Sequence, residues 1–241
     1  MAKRPAHPGT ASVPAMVVLL AVVSTAYGFD EAEILAKLGH DDWAVRQQGS
    51  RQLLADADLT GSQIDSLFSR ATNVEQHHRL LDIARHHLLR ETGRRQATRG
   101  DQACLGVGLL PIDPSQIKGV DQPVSYIDRT YPGLPGFVWF VPGDMIMAID
   151  EDRPPTRQAG QTRSFFTDRI KAHRPGDRAT ITVRRDGKTL DVAVRLADRN
   201  ALVRLYGERQ NAPAGGTLRP EHRQNWQQRR RELLGLNHVP E

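Results

Sequence analysis

The 241-residue sequence contains a single cysteine, Cys104, and only 5% aromatic residues. One thiol excludes an intrachain disulfide framework and any zinc site built from several cysteines. Beyond the N-terminus, no apolar run approaches the roughly 18 residues that a membrane-spanning helix needs, which excludes a polytopic membrane protein. The sequence also lacks a Gly-x-Ser-x-Gly elbow, a His-Glu-x-x-His pair and a phosphate-binding Gly-x-x-x-x-Gly-Lys loop. We therefore expect no enzymatic activity, no cofactor and no metal.

The N-terminus is typical of an export signal. Two basic residues precede a compact apolar run over 15–23, and small residues follow it at the spacing of a cleavage site. The sequence thus predicts an exported protein, periplasmic or secreted, with residues 1–28 as a cleaved signal peptide. The alternative is an uncleaved signal anchor that holds the protein at the inner membrane through residues 13–28.

Residues 29–98 have the period of helices. Apolar positions recur three and four residues apart in four short segments, and cap residues such as Asp30 and Thr60 precede them. The stretch 38–53 has an Asp, Val-Arg, small residue, Leu order that resembles a HEAT-type repeat. This resemblance implies a stacked helical scaffold that contacts other proteins and carries no chemistry of its own.

Two histidine pairs, at 77–78 and 86–87, lie in the last of these predicted helices. Histidines that share a metal on a helix are expected four residues apart on one face, and these pairs do not have that spacing. We interpret them as part of a solvated helix face, without a metal.

Residues 100–198 change to short apolar runs separated by Gly, Pro and Asp, which indicates strands and turns. With the N-terminal helices, this segment places the chain in the α+β fold class. The patterns predict one helix at about 161–172 and strands at 105–110, 124–129, 137–141, 145–149, 179–184 and 189–196.

Three pieces of this segment carry a recognisable pattern. They are Cys104-Leu105-Gly106-Val107, then Gly143-Asp144 with the apolar run after it, and finally Pro175-Gly176-Asp177 followed by an Asp-Gly-Lys hairpin. Together they resemble a PDZ domain of the kind found in bacterial periplasmic HtrA-like proteases, here without the protease domain. The sequence departs from the pattern at 131–140, where the family has a small Ala-rich helix. The resemblance implies a PDZ-like, partly open β-barrel with one main helix over residues 100–198.

The resemblance further implies a mode of binding. An extended peptide would pair with the edge strand beginning at Val107, its C-terminal carboxylate would meet backbone N–H groups of the preceding loop, and the main helix would form a pocket wall. For at least one of the two helix phenylalanines, core packing is the alternative. The implied peptide-binding residues are Leu105, Gly106, Val107, Gly108, Leu109, Phe165, Phe166 and Ile170.

Residues 199–241 form a basic tail with eight Arg against four Glu. A short helix is predicted from Pro220, either solvated or touching anionic lipid or an acidic partner. The two folded segments carry little net charge, and no nucleic-acid partner is expected.

The sequence therefore leads to two hypotheses of function. The first is a non-catalytic exported adaptor that binds a peptide or a protein C-terminus. The alternative is a structural or assembly protein, in which the PDZ-like domain only packs and the helical domain or the tail makes the contacts.

Overall fold

The structure is a computed structural model that describes residues 30–95, 100–112, 122–155, 161–207 and 217–236. The predicted export signal, residues 1–28, lies outside this part of the chain. Within the described ranges, none of the helices combines the length and the apolar character needed to cross a membrane.

The elements in chain order are α1 (Glu31–Leu38), α2 (Trp43–Ala55), α3 (Gly61–Arg70), α4 (Val74–Arg95), β1 (Ala103–Cys104), β2 (Val107–Ile112), β3 (Val124–Thr130), α5 (Pro135–Trp139), β4 (Met145–Ile149), α6 (Thr162–Ala172), β5 (Arg178–Arg185), β6 (Lys188–Arg195), β7 (Ala197–Asp198), α7 (Arg199–Tyr206) and α8 (Pro220–Leu233). The α+β fold class is confirmed.

The four N-terminal helices begin where the capping residues stand. The Asp30 carboxylate accepts the N–H groups of the first turn of α1, and Thr60 forms a reciprocal capping box with Gln63 at the start of α3. Helix α1 packs on α2, and α3 packs on α4. Their apolar stripes meet in one core, which includes Leu38, Leu53, Leu67, Leu80 and Ile83.

The second core lies under an antiparallel sheet of order β2-β3-β4-β5-β6, with α6 packed on its buried face. Pro-Gly-Asp turns lead from α5 into β4 and from α6 into β5, and an Asp-Gly turn joins β5 to β6. The glycines of these turns take left-handed φ angles. Strands β1 and β7 pair separately. Most members of this core are apolar residues that alternate along the strands, including Ile127, Ile146, Ile181, Val183 and Val194.

The predicted strand at 137–141 is wrong, because the structure has helix α5 there. Pro135 stands at the first helical position, where its fixed φ favours a helix and its missing N–H costs nothing. The Phe140 N–H donates to the Gly136 carbonyl at 3.0 Å. Val138 then lies buried in the core of the N-terminal helices, which an alternating strand would not allow.

The segment around α5 joins the helical part to the sheet. Phe137 and Val138 pack with the helical core, Phe140 belongs to the sheet core, and Trp139 touches both. Gly133, with φ of +88°, lies so close to α4 that a Cβ there would come within 2.8 Å of Leu89 Cβ.

The tail also folds back on the helices. The Tyr206 hydroxyl at the end of α7 donates to the Pro132 carbonyl at 2.7 Å. A helix begins at Pro220, as the sequence predicted, and its Trp226 packs against the helical core. Helix α7, which the sequence did not suggest, is capped by Asp198.

The interpretation of His86 and His87 as solvated is wrong, since they are 1% and 7% exposed. The Gly133 N–H donates to His86 Nδ1 at 3.1 Å, and the His86 ring stacks on Phe137. His87 Nε2 donates to the Leu53 carbonyl, while its Nδ1 accepts from Arg90. Both rings are thus covered by elements that pack against α4 from other parts of the chain.

These contacts make stability depend on pH. Burial holds the pKa of His86 well below its ordinary value of 6.5, and burial followed by the Arg90 charge lowers the pKa of His87 to about 4. Both rings stay neutral in the fold, whereas the unfolded chain takes up protons as the pH falls through 6.5. As the pH falls from about 7.5 to about 5, we expect the free energy of unfolding to fall by roughly 2 kcal/mol through His87, and to fall further through His86.

Urea unfolding of the full chain at several pH values checks this expectation. His86→Gln and His87→Gln should each reduce the slope of stability against pH, whatever their effect at neutral pH. His78→Gln, at an exposed position of the same helix, should leave the slope unchanged. Equal slopes in all three variants would show that the buried rings do not cause the pH dependence.

Candidate functional site

Strand β2 is an edge of the sheet. It pairs with β3 on one side, and within the described part of the chain no strand pairs with its other side. Val107 and Leu109 point towards the sheet core and are half-buried, whereas Leu110 on the alternate face is 48% exposed. An edge of this kind presents free N–H and C=O groups along its length.

The loop before β2 is shaped by contacts with the segment around α5. The Leu105 carbonyl accepts the Gly136 N–H at 2.7 Å, and the Gly106 carbonyl accepts the Tyr131 N–H at 3.1 Å. In a trans peptide the C=O and the following N–H point in opposite directions. The N–H groups of Gly106 and Val107 therefore point away from α5.

Gly106 is required by its surroundings. Its φ is +75°, a left-handed conformation that side chains disfavour, and a Cβ there would lie 2.3 Å from Leu134 Cβ. The side chain of Leu105 is buried in the sheet core. Close packing and conformation thus hold the loop in this shape.

Cys104 lies beside this loop, and its thiol is unreactive. Burial, followed by the charge of Asp198, raises the pKa of its thiol to about 12, and the Gly106 N–H hydrogen-bonds to its sulfur. A thiol that stays protonated is a poor nucleophile. Cys104 therefore acts as a small buried residue whose sulfur accepts the hydrogen bond of one loop amide, that of Gly106.

Helix α6 lies along the sheet beside β2, and its three lengthwise faces have different surroundings. Phe166 and Ile170 are buried in the sheet core. Arg169 forms an ion pair of 3.0 Å with Asp152, in the turn after β4, and its guanidinium lies over the ring of Phe165. Phe165 therefore lies on the flank that faces the turn after β4.

Since α6 packs across β2, β3 and β4 and its Arg169 flank reaches the turn after β4, the opposite flank is the one on the β2 side. It carries Arg163, Thr167 and Lys171, spaced four residues apart, beside the buried row. Sequence reasoning missed these residues, although their spacing beside the apolar pair Phe166 and Ile170 was visible. The C-terminal end of α6 lies near the loop, because the Ala103 N–H donates to the His173 carbonyl.

The structure thus separates the eight predicted site residues into three groups. Residues 105–109 form the loop and the first part of the edge strand, as one continuous surface. Phe166 and Ile170 lie beneath it in the core, with exposures of 0% and 8%. Phe165 is not brought to the edge of β2. No finding tests peptide contact by any of these residues, so their role stays a prediction.

A buried ion pair fixes the turn that follows α5. Asp144 is fully buried, and Arg185 donates to both of its oxygens at 2.6 Å and also to the Trp139 carbonyl. The Val141 N–H donates to the same carboxylate. Breaking such a pair leaves an uncompensated charge in the interior, so the geometry of α5 and of the loop against it is strongly constrained.

The described residues offer little for metal or nucleophilic chemistry. Among them, no three His, Cys, Asp or Glu side chains come together so that they could hold a metal ion. An open cleft of about 450 Å³ lies in the helical part, lined by polar side chains that include Arg46 and Glu75. These two already form an ion pair of 3.2 Å.

No protein-family model and no curated protein matches this chain. Solved chains of HtrA-type proteases match part of it. A variant of the HtrA-type protease AlgW with a decapeptide is 19% identical, with a TM-score of 0.36, and the match covers 53% of this chain and 36% of that chain. AlgW with a tripeptide is 20% identical, with a TM-score of 0.33, over 40% of this chain and 31% of that chain. This chain therefore spans about a third of the length of those proteases.

The contact between α5 and the loop makes a direct prediction for Gly136. A Cβ there would lie 2.7 Å from the Gly106 carbonyl oxygen and 2.8 Å from that of Leu105. Since backbone atoms cannot move aside cheaply, we expect Gly136→Ala to lower the free energy of unfolding by about 1–3 kcal/mol. Urea unfolding measures the loss.

Gly61→Ala is the matched control, because Gly61 also lies in a helix but a Cβ there would have no neighbouring atom closer than 4.0 Å. There the substitution should be neutral or stabilising by up to about 1 kcal/mol, from helix propensity. Equal stabilities of the two variants would contradict the close contact at Gly136.

Proposed function

We propose that the protein is a non-catalytic exported adaptor whose PDZ-like part binds an extended peptide or protein C-terminus by strand addition. The observation that carries the proposal is the edge of β2, which no described strand pairs, next to a loop whose Val107 N–H points away from α5. The Gly106 N–H is already bonded to the Cys104 sulfur. Strand addition uses such an edge for main-chain hydrogen bonds and neighbouring side-chain pockets for specificity.

The peptide would lie between β2 and α6. Its backbone would continue the sheet, and its C-terminal carboxylate would accept hydrogen bonds from the loop amides, of which that of Val107 is the best placed. The half-buried side chains of Val107 and Leu109 offer an apolar floor for the last side chain. Because the loop is already held by α5, binding would require little ordering of the protein.

The adaptor role is supported by the scaffold beside the sheet and by the state of three residues that often take part in chemistry. The Cys104 thiol is buried and protonated, and His86 and His87 are buried and neutral. Helices α1–α4 offer a surface for a second protein, as the HEAT-like pattern suggests. Export through residues 1–28, as a cleaved signal or as an anchor, would place the adaptor outside the cytoplasm.

One observation favours the alternative, a structural or assembly protein. The segment around α5 is shared by both cores, and α7 packs on α4 beside it. A PDZ-like part held so firmly to helices could act as a packing module only. In that case the edge of β2 would have no peptide ligand.

Peptides that differ at one terminus test the two functions. Labelled decapeptides ending in Val, with either a free carboxylate or a C-terminal amide, are titrated into the full chain and followed by fluorescence anisotropy. We expect the free acid to bind and the amide to bind at least about tenfold more weakly, because hydrogen bonds to a charged group contribute roughly 1.5–3 kcal/mol.

N-methylation of alternate backbone amides in the free acid should also abolish binding, since it removes main-chain donors that strand addition needs. This change leaves the protein intact, whereas a large residue at Gly106 would collide with Leu134. If no free-acid peptide from a library with varied last residues binds, the adaptor proposal fails and the assembly function is favoured.

A further inference from the structure

We propose that the ligand carries acidic side chains at alternate positions, two and four residues before its C-terminal residue, which face a basic row on α6. The row consists of Arg163, Thr167 and Lys171 and is called the α6 row below. This inference rests on the proposed function, because it names the class of peptide that the edge of β2 would take.

The position of the α6 row follows from the contacts on the other side of the helix. Arg169 reaches Asp152, and His173 Nε2 lies 2.9 Å from the Asp150 carboxylate, so this flank faces the turn after β4. Phe166 and Ile170 point into the core. The α6 row lies about 100° around the helix from Phe166, on the side away from that turn, and β2 is the strand on that side.

In the part of the chain that the structure describes, no partner neutralises the cations of the α6 row. Within the described residues, neither the Arg163 guanidinium nor the Lys171 ammonium forms an ion pair or a hydrogen bond, in contrast to Arg169 on the other flank. The helix has a single carboxylate, Asp168, which points further round towards solvent. Asp128 on β3, which lies beside Gly108 of β2, is already paired with Arg129.

Thr167 between the two cations adds a directional group. Its hydroxyl donates to the Arg163 carbonyl at 2.7 Å, which leaves its oxygen free only as an acceptor. The α6 row therefore combines two uncompensated positive charges with one neutral position.

Helix and strand repeats match along this groove. Residues four apart on a helix rise by about 6 Å, and residues two apart on a strand advance by about 6.7 Å. The peptide would run antiparallel to β2 and parallel to α6, with its carboxylate at the loop near the end of α6. The side chains that face α6 are then the last one, level with Lys171, and those two and four residues before it, level with Thr167 and Arg163. An acidic side chain two residues before the last would lie between the two cations, and one four residues before it would lie beside Arg163.

The test uses two decapeptides of identical composition and net charge, both ending in a free Val carboxylate. One has Glu two and four residues before the last and Gln one and three before it, and the second has these exchanged. With the full chain, anisotropy should show that the first binds about two- to fivefold more tightly at low salt, the range expected for a solvent-exposed ion pair. Added salt should reduce the difference.

Arg163→Gln should remove most of this preference, while Arg169→Gln, with the same charge change on the other flank, should keep it. Equal affinity of the two peptides, with clear binding of both, would overturn the acidic ligand and leave the proposed function standing. A preference that persists in Arg163→Gln would overturn the role of the α6 row. If neither peptide binds and no free-acid peptide of the library does, strand addition itself fails.

Discussion

The docking of residues 131–140 between the two cores is the constraint on which the rest of the structure depends. This segment places Val138 among the helices and Phe140 under the sheet, with Trp139 touching both. It also binds the carbonyls of Leu105 and Gly106, which turns the following amides outward. The shape of the loop before β2 is therefore decided by a helix that is itself anchored on α4 and α2, so the edge of the sheet and the helical scaffold form one connected structure.

Buried ionisable groups and exposed cations have different roles in this arrangement. In the interior, Asp144 is held by Arg185, and His86 stays neutral while it accepts the Gly133 N–H, so these contacts serve structure. A buried charge without a partner would be costly, so these groups are paired or uncharged. On the surface beside β2, Arg163 and Lys171 form no ion pair with any described residue, and this costs little because water solvates them. Free charge at an open edge is available for a ligand, whereas the paired charge inside is not.

Much of the fold could be predicted from local signals in the sequence. The predictions that were wrong share one cause. Caps at Asp30 and Thr60 mark helix starts, and Pro-Gly-Asp turns mark the strands that follow them, because these effects act within a few residues. The stretch 137–141 looks like a strand, since its apolar residues run together, but burial of Val138 against the N-terminal helices selects a helix. His86 and His87 look solvated on an isolated helix, and they are buried because segments distant in sequence cover that face.

For the candidate site, the sequence by itself determined the loop and the edge strand, residues 105–109, because a left-handed glycine before a short apolar run is a local pattern. The tertiary structure alone decided which side of α6 faces that edge. Phe165, the more conspicuous residue in the sequence, lies under Arg169 on the far flank, and the α6 row lies on the near one. Helical spacing groups residues into faces, but only packing against the sheet assigns each face to the core, to the turn after β4 or to β2.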